Sequence, residues 1–335
     1  MFRSDPRRRS PVLSLAFGAV LAAAAVPAIA ALSAGLARPL DTLGQFAEPA
    51  LALAVLAAVS AAATGRRRLL IGFLVTALGL VFALAPQWFA PRPPAAPGVR
   101  PVRLYVLNLW RGNADATAIT RSIQTTDADI VALIEVSDRN AAAVDRVLAA
   151  YPYRMQGPEA LYWGGHVHEE VASRLPLKPI RAGFYPVEEV DRPSRTRWYL
   201  NAVAADIGGA TPFRLILTHL GRPWPYRHQT LELDRLLPRV RDGDPDRTVV
   251  VGDFNATAAS LALRRFAQES GLAPTAALFG DWPAFAPAPL RVAIENVLAG
   301  PALSVGGRRL APRAGSDHLP IVVEIAPAAA VGGRP

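Results

Sequence analysis

Three runs without a single charged side chain fill most of the first 90 residues: Pro11–Ala37, Pro49–Thr64 and Leu69–Ala90. A helix needs about 17–25 such residues to cross a bilayer, so the first and third runs are long enough and the second is marginal. Core helices of soluble domains seldom run this far without a charge. Pro27 kinks the first run, which membrane helices tolerate. Residues 1–90 therefore read as a membrane region with about three transmembrane helices. Arg3, Arg7, Arg8 and Arg9 precede the first run, and Arg66, Arg67 and Arg68 separate the second from the third, while the segment between Arg38 and Glu48 is poor in positive charge. The positive-inside rule then places both basic segments in the cytoplasm and everything after the third run on the outer, periplasmic side of the cytoplasmic membrane. The start also fits a signal peptide with Ala28-Ile29-Ala30 as a cleavage site, which would leave two spans and the same topology.

Charge has to be located before it is interpreted. The chain of 335 residues carries a formal net charge of +9, but residues 1–100 hold ten Arg against three acidic residues, a net of 10 − 3 = +7. The remaining 26 basic and 24 acidic residues leave +2 for residues 101–335. A nucleic-acid footprint is expected on the folded domain itself, so the global charge does not argue for one. The absence of Cys excludes disulfides, thiolate metal sites and a Cys nucleophile. Residues 91–101 form a Pro-rich linker, expected as an extended spacer of roughly 3 Å per residue. The domain boundary falls there, followed by a folded domain over 102–326 and a disordered tail over 327–335.

Within that domain, strand-like runs cover Val102–Leu109, Asp129–Val136, Trp198–Ile207, Phe213–Thr218, Thr248–Val251, Arg291–Leu298 and Pro320–Ile325. Helical spacing covers Ala114–Thr126, Ser137–Ala150, Tyr226–Val240 and Thr257–Glu269. Several strand pairs have no helix between them, which predicts an α/β (α+β) sandwich over a purely parallel winding.

Polar residues stand where these strands stop. Asn108 closes the first, Glu135 sits at the end of the second, and His219 follows Leu215–Thr218. Asp253 and Asn255 follow Val249-Val250-Val251-Gly252, and Asp317 and His318 precede Leu319–Val323. A carboxylate at the end of a buried strand is costly to leave unpaired. Taken singly, each has a plain structural reading as a strand-end charge, a turn former or a packed histidine. Together they predict an oxygen-rich site suited to a hard divalent cation, Mg²⁺ above all with Mn²⁺ as the alternative, and imidazoles placed for charge developing on a phosphoryl group.

The strings VLNLW (106–110), DADIVALIEV (127–136), SRLPL (173–177), LTHL (217–220), VVVGDFNA (249–256), IENVL (294–298) and GSDHLPIVVEI (315–325) resemble, in order, the endonuclease/exonuclease/phosphatase superfamily of DNase I-like nucleases, sphingomyelinases and inositol-phosphate phosphatases. The resemblance covers 102 to about 326. It implies a four-layer α/β sandwich with the site at one edge of two packed sheets. By position, it implies Glu135 as ligand of the principal Mg²⁺, with Asn108 beside it and Asp317 next to the metal. Asp253 would orient or deprotonate the attacking water, Asn255 would hold a phosphate oxygen, His318 would stabilise the pentacovalent transition state, and His219 would assist the leaving oxygen. Two departures stand out. Ile134 replaces the Gln that usually precedes the metal Glu, and Glu295-Asn296 stands where Asp-His is usual, so Glu295 would orient His318 with one extra methylene.

The resemblance implies a membrane-anchored phosphodiesterase or phosphomonoesterase, with a phospholipid headgroup, a small phosphoester or nucleic acid as substrate. The rival reading is a degenerate module that binds phosphorylated ligands without catalysis. His166 and His168 in GGHVHEE read as a solvated loop or, alternatively, an H-x-H metal pair. Trp224 and Tyr226 read as loop packing, a stacking platform or a contact with lipid headgroups; Arg195 and Arg197 read as common surface arginines or as phosphate-steering groups.

Overall fold

The structure is a computed structural model that describes residues 11–33, 35, 40–162, 165–187, 198–224 and 226–329. Arg3, Arg7, Arg8, Arg9, Arg38, Arg195, Arg197 and the side chain of Tyr226 lie outside the described residues. The chain divides into two compact units, residues 1–86 and 87–335.

The first unit is helical: α1 (Pro11–Ser33), α2 (Leu40–Gly44), α3 (Ala47–Ala63) and α4 (Arg67–Trp88), the last ending in the second unit. Val12–Ser33 and Arg67–Trp88 are each long and apolar enough to cross a membrane by length and composition. The helix in the second apolar run, Ala47–Ala63, has 17 residues and falls short of the other two. Apart from Glu48, its buried residues are all alanines, Ala47, Ala50, Ala54, Ala57, Ala58 and Ala61, small enough to let helices approach closely. Large apolar residues of α1 and α4, among them Val12, Leu15, Ile29, Ile71 and Phe82, stay exposed. Arg66 donates to the Ser14 hydroxyl at 2.6 Å.

The second unit contains β1 (Val102–Asn108), α5 (Ala116–Thr126), β2 (Ile130–Ser137), α6 (Ala141–Leu148), β3 (Tyr153–Gln156), β4 (Ala160–Tyr162), β5 (Gly165–Ser173), β6 (Leu177–Val187), β7 (Trp198–Ile207) and β8 (Phe213–His219). It continues with α7 (Tyr226–Arg241), β9 (Thr248–Asp253), α8 (Leu261–Ser270), β10 (Ala273–Pro274), β11 (Glu295–Ala299), β12 (Leu303–Leu310) and β13 (Ile321–Pro327). One sheet runs β12-β13-β1-β2-β5-β3, with β4 on β5, and the other β10-β11-β9-β8-β7-β6. The strands alternate in the way a sandwich requires. Val102, Leu104, Val106, Ile130, Ala132 and Ile134 of the first sheet meet Val203, Leu215, Leu217, Val249, Val251 and Val297 of the second in the inter-sheet core. The other faces are covered by α5 and α6 on the first sheet and α7 and α8 on the second. Helix, sheet, sheet, helix is the expected four-layer arrangement. Local signals agree with it: Asp115 and Ser260 cap α5 and α8 through their side chains, and Gly271 ends α8 in the left-handed conformation.

Three details depart from the sequence reading. Residues 165–170 (GHVHEE) belong to the strand β5 rather than to a loop, because Val167, Glu169 and Val171 bury one side of it. The Pro-rich segment is not a free spacer over its whole length. Pro93 accepts from the Ser304 hydroxyl (2.6 Å), the N–H of Ala96 reaches Pro327 O (2.8 Å), and that of Ala329 reaches Pro94 O (2.8 Å). Prolines suit this edge position because they offer carbonyls without needing to donate. Ala328 and Ala329, expected in the tail, are thereby hydrogen-bonded, while residues 330–335 lie outside the described residues.

Candidate active site

The inward-facing rows of both sheets stay apolar until their last position, where they turn polar. In the second sheet, Asn201, His219, Asp253 and Glu295 are direct neighbours in register across β7, β8, β9 and β11. Each lies two residues from a core position (Val203, Leu217, Val251, Val297), so alternation turns all four toward the first sheet. Asn108 continues the row of Leu104 and Val106 in the same way. Gly252 is required one step earlier: its φ is 136°, and a Cβ there would stand 1.9 Å from the Thr218 carbonyl.

Glu135 arrives by a different route. Alternation gives the inward position on β2 to Ile134, which is fully buried in the inter-sheet core opposite Asn108. A register shift between Leu133 and Val136, with φ 57° at Glu135, re-aims the carboxylate toward the site. Trp110 (φ 58°) and Asn255 (φ 46°) are also left-handed, so three of the four non-glycine residues with positive φ among the described residues border this edge. Such backbone strain concentrates where geometry serves a site.

Asp253 Oδ2 is the focus. Asn108 Nδ2 donates to it at 3.1 Å, and His219 Nε2 and His318 Nε2 each stand 3.7 Å away. Glu135 Oε1 lies 3.4 Å from Asn108 Nδ2 and 3.9 Å from His219 Nε2, and Glu135 Oε2 accepts the N–H of Arg111. Glu295 Oε1 accepts the N–H of Asn108 at 3.0 Å and stands 3.3 Å from His318 Nδ1, so the extra methylene does not prevent contact. Asn255 sends its N–H to Asp253 Oδ1 and its amide to the Leu220 carbonyl, both at 2.8 Å. Asp317 is held by the Trp282 indole N–H (3.3 Å) and by Ser316; among the described residues no ion pair joins its carboxylate to His219 or His318.

Electrostatics follow from burial. Desolvation by itself would depress the His318 imidazole, but the carboxylates of Asp253 and Glu295 outweigh it and raise it to about 10. His219 is likewise raised against its burial by Asp253 and Glu135. Burial pushes Glu295 up and Asp281 up to about 7. The tightest set of potential metal donors among the described residues is Asp253, Glu295 and His318, whose donor atoms lie within 4.8 Å of one another. Glu295 Oε2 is buried without a hydrogen-bond partner. Three carboxylates, one with an unsatisfied oxygen, and an Asn amide form a donor set that suits a hard divalent cation.

A supporting layer lies behind these groups, with Ser316 from the GSDH string and Asp281, Arg308 and Glu169 from outside any quoted string. Ser316 donates to the Asn108 carbonyl (2.7 Å) and accepts from the N–H of His318 (3.0 Å), joining the two strand ends. Asp281, fully buried, accepts the N–H groups of Ile294 and Glu295 and pairs with Arg308 at 2.9 Å. Glu169 is buried on the inward face of β5, and burial raises it to about 7; His219 and Asn201 offset this only in part. In the sequence, Glu169 was overshadowed by the histidines around it. His166 Nδ1 lies 4.0 Å from Asp138 and His168 Nε2 lies 3.7 Å from Glu170, each facing a carboxylate.

Residues 106–318 match the Endonuclease/Exonuclease/phosphatase family. No curated protein matches significantly. Among solved structures, an endonuclease/exonuclease/phosphatase from Beutenbergia cavernae is similar at 21% identity and TM-score 0.55, covering 69% of this chain and 73% of that one. The human Nocturnin catalytic domain with bound sulfate is similar at 17% identity and TM-score 0.53 (68% and 93% covered). D. rerio TDP2 in complex with single-strand DNA product is similar at 14% and 0.51 (67% and 98%). At these identities the likeness establishes the fold. The family match spans more than half of the sequence and contains Asn108, Glu135, His219, Asp253, Glu295 and His318, and the chain belongs to the endonuclease/exonuclease/phosphatase family.

Proposed function

We propose that this chain is a membrane-anchored, divalent-metal-dependent hydrolase of phosphoric esters, working by in-line attack of an activated water. Family membership implies a phosphoesterase or nuclease-type hydrolase, and the convergence of Asn108, Glu135, His219 and His318 on Asp253 supports the finer reading. Glu135 and Asn108 would hold Mg²⁺ or Mn²⁺, with Asp317 nearby. Glu135 is the better candidate for direct ligation than Glu295, because it is one-fifth exposed whereas Glu295 is fully buried with one oxygen, Oε1, engaged by both His318 and the Asn108 N–H, which leaves only Oε2 free for a cation. When bound, the cation would neutralise phosphate charge and lower the barrier to attack.

The chain's own groups supply the rest. Asp253 orients the water and takes its proton. His318, cationic at neutral pH, faces the charge that builds on the phosphoryl oxygens, with Glu295 fixing its ring. His219 gives a proton to the departing oxygen. Asn255, its amide already turned to Leu220, has one further N–H to offer a phosphate oxygen. The sulfate bound by Nocturnin and the DNA product bound by TDP2 are consistent with phosphoester ligands on this fold. The near-neutral charge of residues 101–335 favours phospholipid headgroups or small phosphoesters over duplex DNA.

The two apolar helices support a cytoplasmic-membrane location. Arg66 bonds Ser14 near the start of α1, so the start of α1 and the basic segment before α4 sit at the same end of the helical unit, which supports a cytoplasmic placement of that end. The domain would then face the periplasm.

Detergent-solubilised full chain should hydrolyse a phosphodiester or phosphomonoester with Mg²⁺ and not with EDTA, and Asp253→Ala should abolish turnover while circular dichroism stays unchanged. Wild-type turnover in that variant would refute the mechanism. Silence of a metal-replete, folded wild type across the substrate panel would leave the non-catalytic binding module.

A further inference from the structure

Loops facing water are ordinarily polar, yet Leu278–Leu290 exposes no polar side chain at all. Its one charged residue, Asp281, is fully buried, and the Trp282 indole N–H is spent on Asp317. What it exposes instead is Leu278, Phe279, Phe285 and Leu290, with Phe285 at 78%. The loop is firmly built. Trp282 and Val292 close its base by mutual backbone hydrogen bonds (2.7 and 3.1 Å), and Pro283, Pro287 and Pro289 stiffen the excursion between them. It is also attached to the site, since the N–H of Ala284 reaches the carbonyl of Asp317, the residue before His318.

Positive charge collars the apolar tip. Arg291 and Arg313 donate to the carbonyls of Ala286 and Ala284 and have no carboxylate partner among the described residues. A rigid apolar tip with arginines at its base matches the layering of a bilayer surface, acyl chains inside and anionic phosphates outside. Phe279 and Phe285 alone could stack on nucleic-acid bases, but the leucines and prolines around them offer no continuous platform, and the net charge of only +2 over residues 101–335 is weak for a polyanion. The same chain carries two helices apolar enough to cross that bilayer.

We propose that Leu278–Leu290 inserts into the lipid–water interface and presents the His318 edge of the site to headgroup phosphates, so that the substrate class is a phosphoester displayed on a phospholipid surface. The substrate half of this statement rests on the phosphoesterase reading above; the docking half does not.

The absence of cysteine allows a direct test. Full chain bearing Phe285→Cys, or Gln124→Cys on the exposed face of α5 as control, is labelled with an environment-sensitive fluorophore and reconstituted in nanodiscs of phosphatidylcholine and phosphatidylglycerol. At position 285, doxyl-labelled lipids should quench several-fold more, and aqueous iodide several-fold less, than at position 124. Equal behaviour at the two positions overturns docking, as does protection of position 285 by single-stranded DNA but not by lipid. The double variant Phe285→Ser/Leu290→Ser should raise KM several-fold on headgroup phosphoesters in nanodiscs and leave kcat/KM on a soluble phosphodiester unchanged. An equal loss on both substrates overturns the proposal. Lipid quenching without turnover on any substrate would instead count against the phosphoesterase reading and leave docking standing.

Discussion

Glu295 shows how one side chain can stand in for a shorter one. Its Oε1 reaches His318 Nδ1 and the Asn108 N–H together, because β11 starts at that residue, directly opposite Asp253, and Asp281 fixes the turn before it. Glu295→Gln keeps the volume and removes the charge. The imidazole of His318 should then lose part of its cationic stabilisation and titrate lower, and kcat should fall by about 10²–10⁴-fold. An NMR titration of the His318 ring protons beside steady-state kinetics would check both, and an unchanged titration would show that Asp253 alone holds the charge. Most of the polar residues at this edge were legible in the sequence, since each ends an apolar run. Ile134 was not interpretable there: read as the loss of a hydrogen bonder, it proves to occupy the inward core position that frees the bulged Glu135 to turn to the site.

At the scale of elements, the parallel pair β8 and β9 sets the spacing between His219 and Asp253. Gly252 makes this approach possible. In Gly252→Ala the new methyl group would meet the Thr218 carbonyl in a backbone conformation that alanine rarely adopts. The expected loss is about 3 kcal/mol, from overpacking and strain together. Chemical denaturation would measure it, and activity should fall as well if the two strands move apart. The long amphipathic helices and most buried strands were readable from periodicity, whereas β3, β4, β5, β6, β10 and β12 were missed. Short or edge strands such as Leu303–Leu310, with Gly306, Gly307 and two arginines, carry no apolar alternation, and only pairing with β13 makes them strands.

The whole molecule combines two solvents in one chain. If α1 and α4 span a bilayer, the protein should stay in the membrane pellet after alkaline carbonate extraction and leave it only with detergent; release by carbonate would contradict anchoring. The folded domain should also show an unusual pH dependence. Glu169 and Glu232 are both raised to about 7 by burial, above the ordinary carboxylate value of 4.5. The folded state therefore holds these protons more tightly than the unfolded chain. Their stabilisation is complete below about pH 4.5 and is lost as pH rises through about 7. Relative to wild type in EDTA, Glu169→Gln should gain on the order of 3 kcal/mol between pH 4.5 and 8. Pulse proteolysis across that range would detect it, and a pH-independent difference would mean that Glu169 titrates normally.

The sequence by itself determined the division into an apolar helical part and a mixed sandwich, and it identified the strand-end carboxylates, Asn and His, because burial leaves a period in the residue pattern and polar interruptions of that pattern stand out. It could not determine which of those groups meet. That depended on register across four strands, on a bulge that rotates Glu135 by one position, and on a loop whose exposed apolar face is visible only once Asp281 is seen to be buried. These are long-range facts: strand pairing within one sheet sets His219, Asp253 and Glu295 side by side, packing of the other sheet against it adds His318, and no local preference of the chain encodes either.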